Sequence, residues 1–369
     1  MGRLIWLLLA LLVALLIPVW LGGGETVARL RQFPLPQLVG MFAMIIGCWL
    51  INSLRLRLLL GEQGSQLGRL KSLGAVISTE FAMCATPGGS GGPLTLMALL
   101  ARNGIRPARA SAVFAMDQLS DLLFFLCALA GIVLYALFHS LNPRLEWLLG
   151  LSVISMIGGI ISGLAVVRFH RRLIRLAGAM LKAIRVRAPT RRRWARRLLR
   201  FLAAFTATLK LPWPLLLGVF ALTSLHWLLR YSVLYLALRG LGGDVQWALS
   251  FLIQMLSLTA GQFSLLPGGA GAAELTSAAL LAPMVGKSTA AAAILIWRAV
   301  TYYFYLLAGA PVFVLLVGKP LLKRLLQGRQ AARPAPAAVP TNGPHRETQY
   351  HPRRPAPAGR SDSDNPRPP

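Results

Sequence analysis

Asp117 and Asp121 stand four residues apart inside a long apolar run, which places both carboxylates on one face of a helix. An ionised carboxylate at bilayer depth costs about 2.5–3.5 kcal/mol on insertion scales, so a cation or a polar cavity must offset it. Arg298, in the last apolar run, is the candidate partner, and an ion pair or shared polar cavity between Asp117 or Asp121 and Arg298 is predicted. Such a pair serves either the bundle's architecture or a translocation path. Arg230 and His226 lie four apart on another apolar run and are placed to meet a charged headgroup or to pair within the bundle. Glu80 has lower weight.

Two glycine-rich segments carry a different chemistry. Thr86-Pro87-Gly88-Gly89-Ser90-Gly91 and Leu266-Pro267-Gly268-Gly269-Ala270-Gly271 each interrupt an apolar stretch. A chain can break at membrane depth only where protein or a wet cavity satisfies its backbone. Glycine there leaves peptide nitrogens uncovered, and helices starting near Pro93 and Ala272 would aim their positive dipole ends at the break. That combination attracts anions. The predicted headgroup cradle comprises Thr86, Gly88, Gly89, Ser90, Gly91, Gly268, Gly269, Gly271 and Glu274, with Asp117, Asp121, Arg298 and Arg230 as a polar relay. Glu274 falls in the first turn after the second loop, where an acid either complements the helix dipole or couples to protons. Neither a nucleophile with a positioned base nor a nucleotide-binding loop stands out, and the reading is of a protein without catalysis or cofactor. Cys48, Cys84 and Cys127 lie in apolar segments without ligand spacing, so no metal site or disulfide framework is expected.

The elements that must position these residues are membrane helices. Of 369 residues, 56% are hydrophobic and 14% charged, and the apolar runs approach the twenty or so residues that cross a bilayer. Full spans are expected over 4–21, 35–58, 110–138, 147–167, 214–238 and 290–317, with two broken, re-entrant segments over 72–101 and 248–284. The first is read as an uncleaved helix. The fold class is therefore an all-α integral membrane protein of about six transmembrane helices plus two re-entrant segments. The net charge of +28 suggests nucleic acid at first sight, but the basic residues gather between spans and in the tail, the pattern of cytoplasmic loops. The 168–210 loop interleaves arginines with Leu173, Leu176, Trp194 and Leu198, as an interfacial helix on anionic lipid does. Arg55, Arg57, Arg69 and Lys71 are counted with the cytoplasmic charges, which puts the N-terminus and the tail inside; Arg29 and Arg31 run against this scheme.

The two loops stand 180 positions apart, and the same offset pairs Pro34 with Pro214 and Gln118 with Arg298. Units of about 34–138 and 214–317 therefore repeat. Under the charge-based topology they enter the membrane from opposite faces, the inverted arrangement common in transporters whose broken helices meet at the midplane.

The chain resembles the lysylphosphatidylglycerol synthase transmembrane region, also called the flippase-like or UPF0104 membrane family. The resemblance rests on Leu266-Pro267-Gly268-Gly269-Ala270-Gly271-Ala272-Ala273-Glu274, on Arg298-Ala299-Val300-Thr301-Tyr302, and on Asp117-Gln118-Leu119-Ser120-Asp121, where Gln118 replaces an arginine of the family pattern. It covers about residues 1–325 and implies lipid handling across a membrane. Residues 326–369, rich in Pro, Ala and Arg, are expected to be a disordered cytoplasmic tail. The expected function is movement of an anionic phospholipid headgroup between leaflets of the cell membrane, with membrane lipids rather than nucleic acid as partners. The alternatives are secondary transport of a small anion and a non-catalytic partner of a lipid-modifying enzyme.

Overall fold

Long apolar runs cannot leave backbone groups unpaired in lipid, and helices satisfy them within the segment. The computed structural model describes residues 2–138 and 211–318 and isolated positions between 150 and 161, and among these residues every regular segment is helical. The expected span over 147–167, the basic loop 168–210 and the tail 326–369 lie wholly or largely outside the described residues.

In chain order the helices are α1 (Gly2–Gly22), α2 (Glu25–Arg31), α3 (Leu35–Leu60), α4 (Glu62–Leu67), α5 (Arg69–Cys84), α6 (Gly91–Arg102), α7 (Pro107–Phe138), α8 (Trp213–Gly240), α9 (Trp247–Gln262), α10 (Ala272–Val285) and α11 (Lys287–Gly318). Among the described residues α3, α7, α8 and α11 are each long and apolar enough to cross a membrane. A bent pair, Leu7–Gly22 with Glu25–Arg31 turned by 106°, makes a fifth candidate. At 1.5 Å per residue the 26 residues of α3 run about 39 Å, longer than the roughly 30 Å hydrocarbon layer. The broken stretches become two helix–loop–helix hairpins, α5–α6 and α9–α10, as expected.

Shifting α3, α5, α6 and α7 by 180 positions lands them on α8, α9, α10 and α11, with ends agreeing within three residues. Packing brings helices of the two halves together. α3 lies along α8, and α5 lies against the second part of α11, where a Cβ on Gly309 would come within 2.6 Å of the Phe81 Cβ. Phe81 and Phe313 bring their rings to 5.0 Å at this contact, tilted by 43°. On the opposite side Phe124 of α7 meets Phe251 of α9 at 6.2 Å. α11 is interrupted by π-helical turns at Ala299–Tyr303 and Val314–Gly318. Such turns reset the direction of side chains along a helix, and the first begins directly after Arg298 and holds Thr301 and Tyr302.

Candidate functional site

The two Pro-Gly-Gly loops meet. Pro87 and Pro267 form an antiparallel β-bridge. Each proline touches its own counterpart at the offset of 180. Beside this contact lies a cavity of about 870 Å³, walled by α3, α5 and α7 of the first half and α8, α9 and α11 of the second.

Three arginines reach the wall. Arg55, from α3, places Nη2 2.6 Å from Asp117 Oδ1 and 2.9 Å from Asp121 Oδ1. Its Nη1 donates to Asn52 Oδ1 at 3.1 Å. The Trp227 indole N–H donates to the same Asp121 oxygen at 2.9 Å. Asn52 in turn donates to Glu80 at 3.5 Å, and Glu80 pairs with Arg230 at 3.4 Å. A continuous polar chain thus runs Asp117/Asp121–Arg55–Asn52–Glu80–Arg230 through α7, α3, α5 and α8. The Arg230 guanidinium lies over the Trp227 ring at 5.6 Å and the Tyr305 ring at 5.0 Å, cation–π contacts that stabilise a charge held away from water.

The third arginine, Arg298, corrects the expected pairing. It shares the cavity with Asp117 and Asp121, but its ion pair is with Glu274 of neighbouring α10, and its Nη2 donates to the Gly268 carbonyl at 3.1 Å. Glu274 is fully buried and also accepts the Gly271 amide at 2.7 Å, so one carboxylate caps α10 and neutralises Arg298. The place opposite the two aspartates belongs to Arg55, which is buried inside α3 rather than sitting in the cytoplasmic loop. Arg57, Arg69, Lys71, Arg102, Arg106 and Arg109 still carry the loop charge.

The predicted cradle divides. Gly88, Gly89, Gly268 and Gly269 are on the cavity wall, whereas Thr86, Ser90, Gly91, Gly271 and Glu274 are not among its lining residues. Most of the peptide nitrogens expected to be bare are in use. Those of Gly89, Ser90 and Gly92 bond carbonyls of their own loop, and Gly91 N bonds Thr86 Oγ1 at 2.8 Å. In the second loop Gly269, Ala270 and Ala273 bond carbonyls, while Gly271 is taken by Glu274. The positive dipole end of α10 already faces its own carboxylate. The cationic groups lining the cavity are the guanidinium groups of Arg55, Arg230 and Arg298.

Sequence reasoning missed Arg55 and Asn52 and underrated Glu80. The signal was present: Asn52 and Arg55 are three apart, one helical face, within a largely apolar 26-residue run. No cluster with metal-ligating composition occurs among the described residues. Cys48 and Cys84 are buried and Cys127 is exposed.

Residues 7–309 match the family described as the lysylphosphatidylglycerol synthase TM region. A UPF0104 membrane protein of Archaeoglobus fulgidus is 21% identical over 279 residues, which span 74% of this chain and 84% of that protein.

Proposed function

Since this chain belongs to the lysylphosphatidylglycerol synthase transmembrane-region family, a family of multi-pass membrane proteins, we propose that it carries the headgroup of an anionic phospholipid between leaflets through the cavity between its halves. The observation that carries this reading is that Arg55, Arg230 and Arg298 all line one 870 Å³ space inside a bundle of apolar helices. Intramembrane charges at that depth mark substrate paths. Of the three, Arg230 has the longest carboxylate contact, 3.4 Å, and it is the guanidinium that exchanges its partner for a phosphate.

The bridge between Pro87 and Pro267 supports a two-fold relation of the halves, because a residue touching its own repeat counterpart must sit at a symmetry axis. With loop charges biased to one side, that axis lies in the membrane plane and the units are inverted. Leu56, Leu59, Leu122, Leu129 and Leu258 share the wall with the charges, which favours an amphiphile over a small free anion. In this reading the protein makes and breaks no covalent bond, and movement is downhill or ion-coupled. It operates in the cell membrane with its N-terminus and tail in the cytoplasm.

Vesicles containing the purified protein and a fluorescent anionic phospholipid test the reading. Exchange between leaflets should exceed that of empty vesicles, and Arg230→Gln should slow it at least tenfold while the protein stays monodisperse. Anion uptake without lipid exchange would instead establish a small-anion carrier, and neither activity would leave a partner protein for a lipid enzyme.

A further inference from the structure

The polar groups on the cavity wall are almost all spoken for. Thr79, Thr259 and Thr301 each donate their hydroxyl to the carbonyl four residues back, at 2.7, 2.8 and 2.7 Å. The carboxylates and guanidiniums are paired with one another as described, with Arg55 Nε left over. Gln254, in the middle of α9, stands out as the lining residue with both polar atoms of its side chain unmet. It is 1% exposed and belongs to the cavity lining, yet neither its amide nitrogen nor its amide oxygen has a hydrogen-bond partner among the described residues.

A buried primary amide with both ends unmet is costly, and proteins keep one where a ligand or a functional group completes it. The architecture does not demand it: the position equivalent to Gln254 in the first half, 180 residues earlier, is Gly74. A second unmet atom lies on the same wall. His226, 2% exposed, has no partner for Nδ1, while the Cys48 backbone lies beside its ring. Trp227 and Tyr231, next to His226 on α8, add aromatic faces to the wall.

The chemistry of an amide specifies what it lacks. Gln254 needs an acceptor for its NH₂ and a donor for its C=O. A phosphate or carboxylate only accepts and an ammonium only donates, whereas a hydroxyl does both. We propose that Gln254 is a headgroup-recognition residue that hydrogen-bonds a hydroxyl of the lipid, so that the substrate class is a lipid whose headgroup carries free hydroxyls, from either a glycerol or a sugar. This rests on the lipid-headgroup reading above and adds the neutral half of the recognition to the arginines' anionic half. Aromatic side chains beside such a site suit the C–H faces of a polyol.

The test is a binding competition on the detergent-solubilised full-length protein, read by native mass spectrometry. Phosphatidylglycerol is compared with phosphatidylpropanol, which keeps the phosphate and the chain length but lacks both hydroxyls, and with a monoglucosyl diacylglycerol that has the sugar without phosphate. Wild-type protein should prefer phosphatidylglycerol over phosphatidylpropanol at least fivefold, and Gln254→Leu should reduce that preference to less than twofold without weakening phosphatidylpropanol. Gln254→Asn, which keeps the amide on a shorter arm, should retain part of the preference and controls for folding. Glucosyl lipid bound with the same dependence on Gln254 supports a sugar as the hydroxyl source; phosphatidylglycerol preference alone supports glycerol. Equal binding of phosphatidylglycerol and phosphatidylpropanol to the wild type, together with glucosyl lipid binding that is absent or indifferent to Gln254→Leu, overturns the inference, whether or not lipid exchange is seen in vesicles. A hydroxyl preference that depends on Gln254 but without leaflet exchange would overturn the transport reading and leave this recognition role standing.

Discussion

Gly88 and Gly89 in the first loop and Gly268 and Gly269 in the second all take positive φ, between 56 and 69°, yet the two loops are held in different ways. In the first, Pro87, Gly88 and Ser90 are exposed, and the nearest atom to a Cβ built on Gly88 is the Gln262 carbonyl at 3.8 Å. In the second, Pro267, Gly269, Ala270 and Gly271 are buried. Tyr302 donates its hydroxyl to the Pro267 carbonyl at 3.1 Å, Arg298 holds Gly268, and Glu274 holds Gly271. One repeat motif thus yields an open loop beside the cavity and a clamped one. The charges divide similarly: the second half buries one acid against one arginine, while in the first half Arg55 faces two aspartates. Side chains from α10 and α11 hold the second loop, whereas the first lies open beside a polar chain that has one more acid than arginine.

The comparison can be broken most decisively by topology. With Cys127→Ser as background, single cysteines at Asn103 and Gly286, the residues that end α6 and α10, should react with an impermeant reagent from opposite sides of the membrane. Labelling of both from one side would remove the inverted arrangement. Next in size is Arg298→Leu, which leaves Glu274 buried and unpaired; a loss of about 3–5 kcal/mol is expected, seen as a large fall in thermal stability in detergent. If Arg298→Leu were as stable as the wild type, the clamp would be decorative.

Alanine in the two loops sharpens the contrast. At Gly268 a Cβ would lie 2.0 Å from the Tyr302 ring, so overpacking of about 1–3 kcal/mol adds to a left-handed backbone cost of about 1–2 kcal/mol. At Gly88 only the backbone cost applies. Gly268→Ala should therefore unfold at a clearly lower temperature than Gly88→Ala, and equal effects would contradict the description of the second loop as clamped. The smallest change is expected for Thr86→Val, which removes the hydroxyl that holds the Gly91 amide and should cost about 1 kcal/mol. Its counterpart Leu266 provides no such bond, so this term belongs to the first loop alone.

Much of this molecule is legible in its sequence, because apolar length and Pro-Gly-Gly breaks act locally. The helices over 35–60, 213–240 and 287–318 follow from run length, and the two broken hairpins from the Pro-Gly-Gly interruptions. Matching prolines 180 apart announce that two segments are related. Partner choice among the buried charges is not local. Asp117 and Asp121 require a cation wherever they are placed, but Arg55 and Arg298 are equally cationic on paper, and only the packing of α3 beside α7 and of α10 beside α11 assigns them. The loop amides are settled locally, Gly91 by Thr86 and Gly271 by Glu274 within a few residues of chain, whereas the hold of Arg298 on the Gly268 carbonyl and of Tyr302 on the Pro267 carbonyl exists only because α11 packs against the second loop.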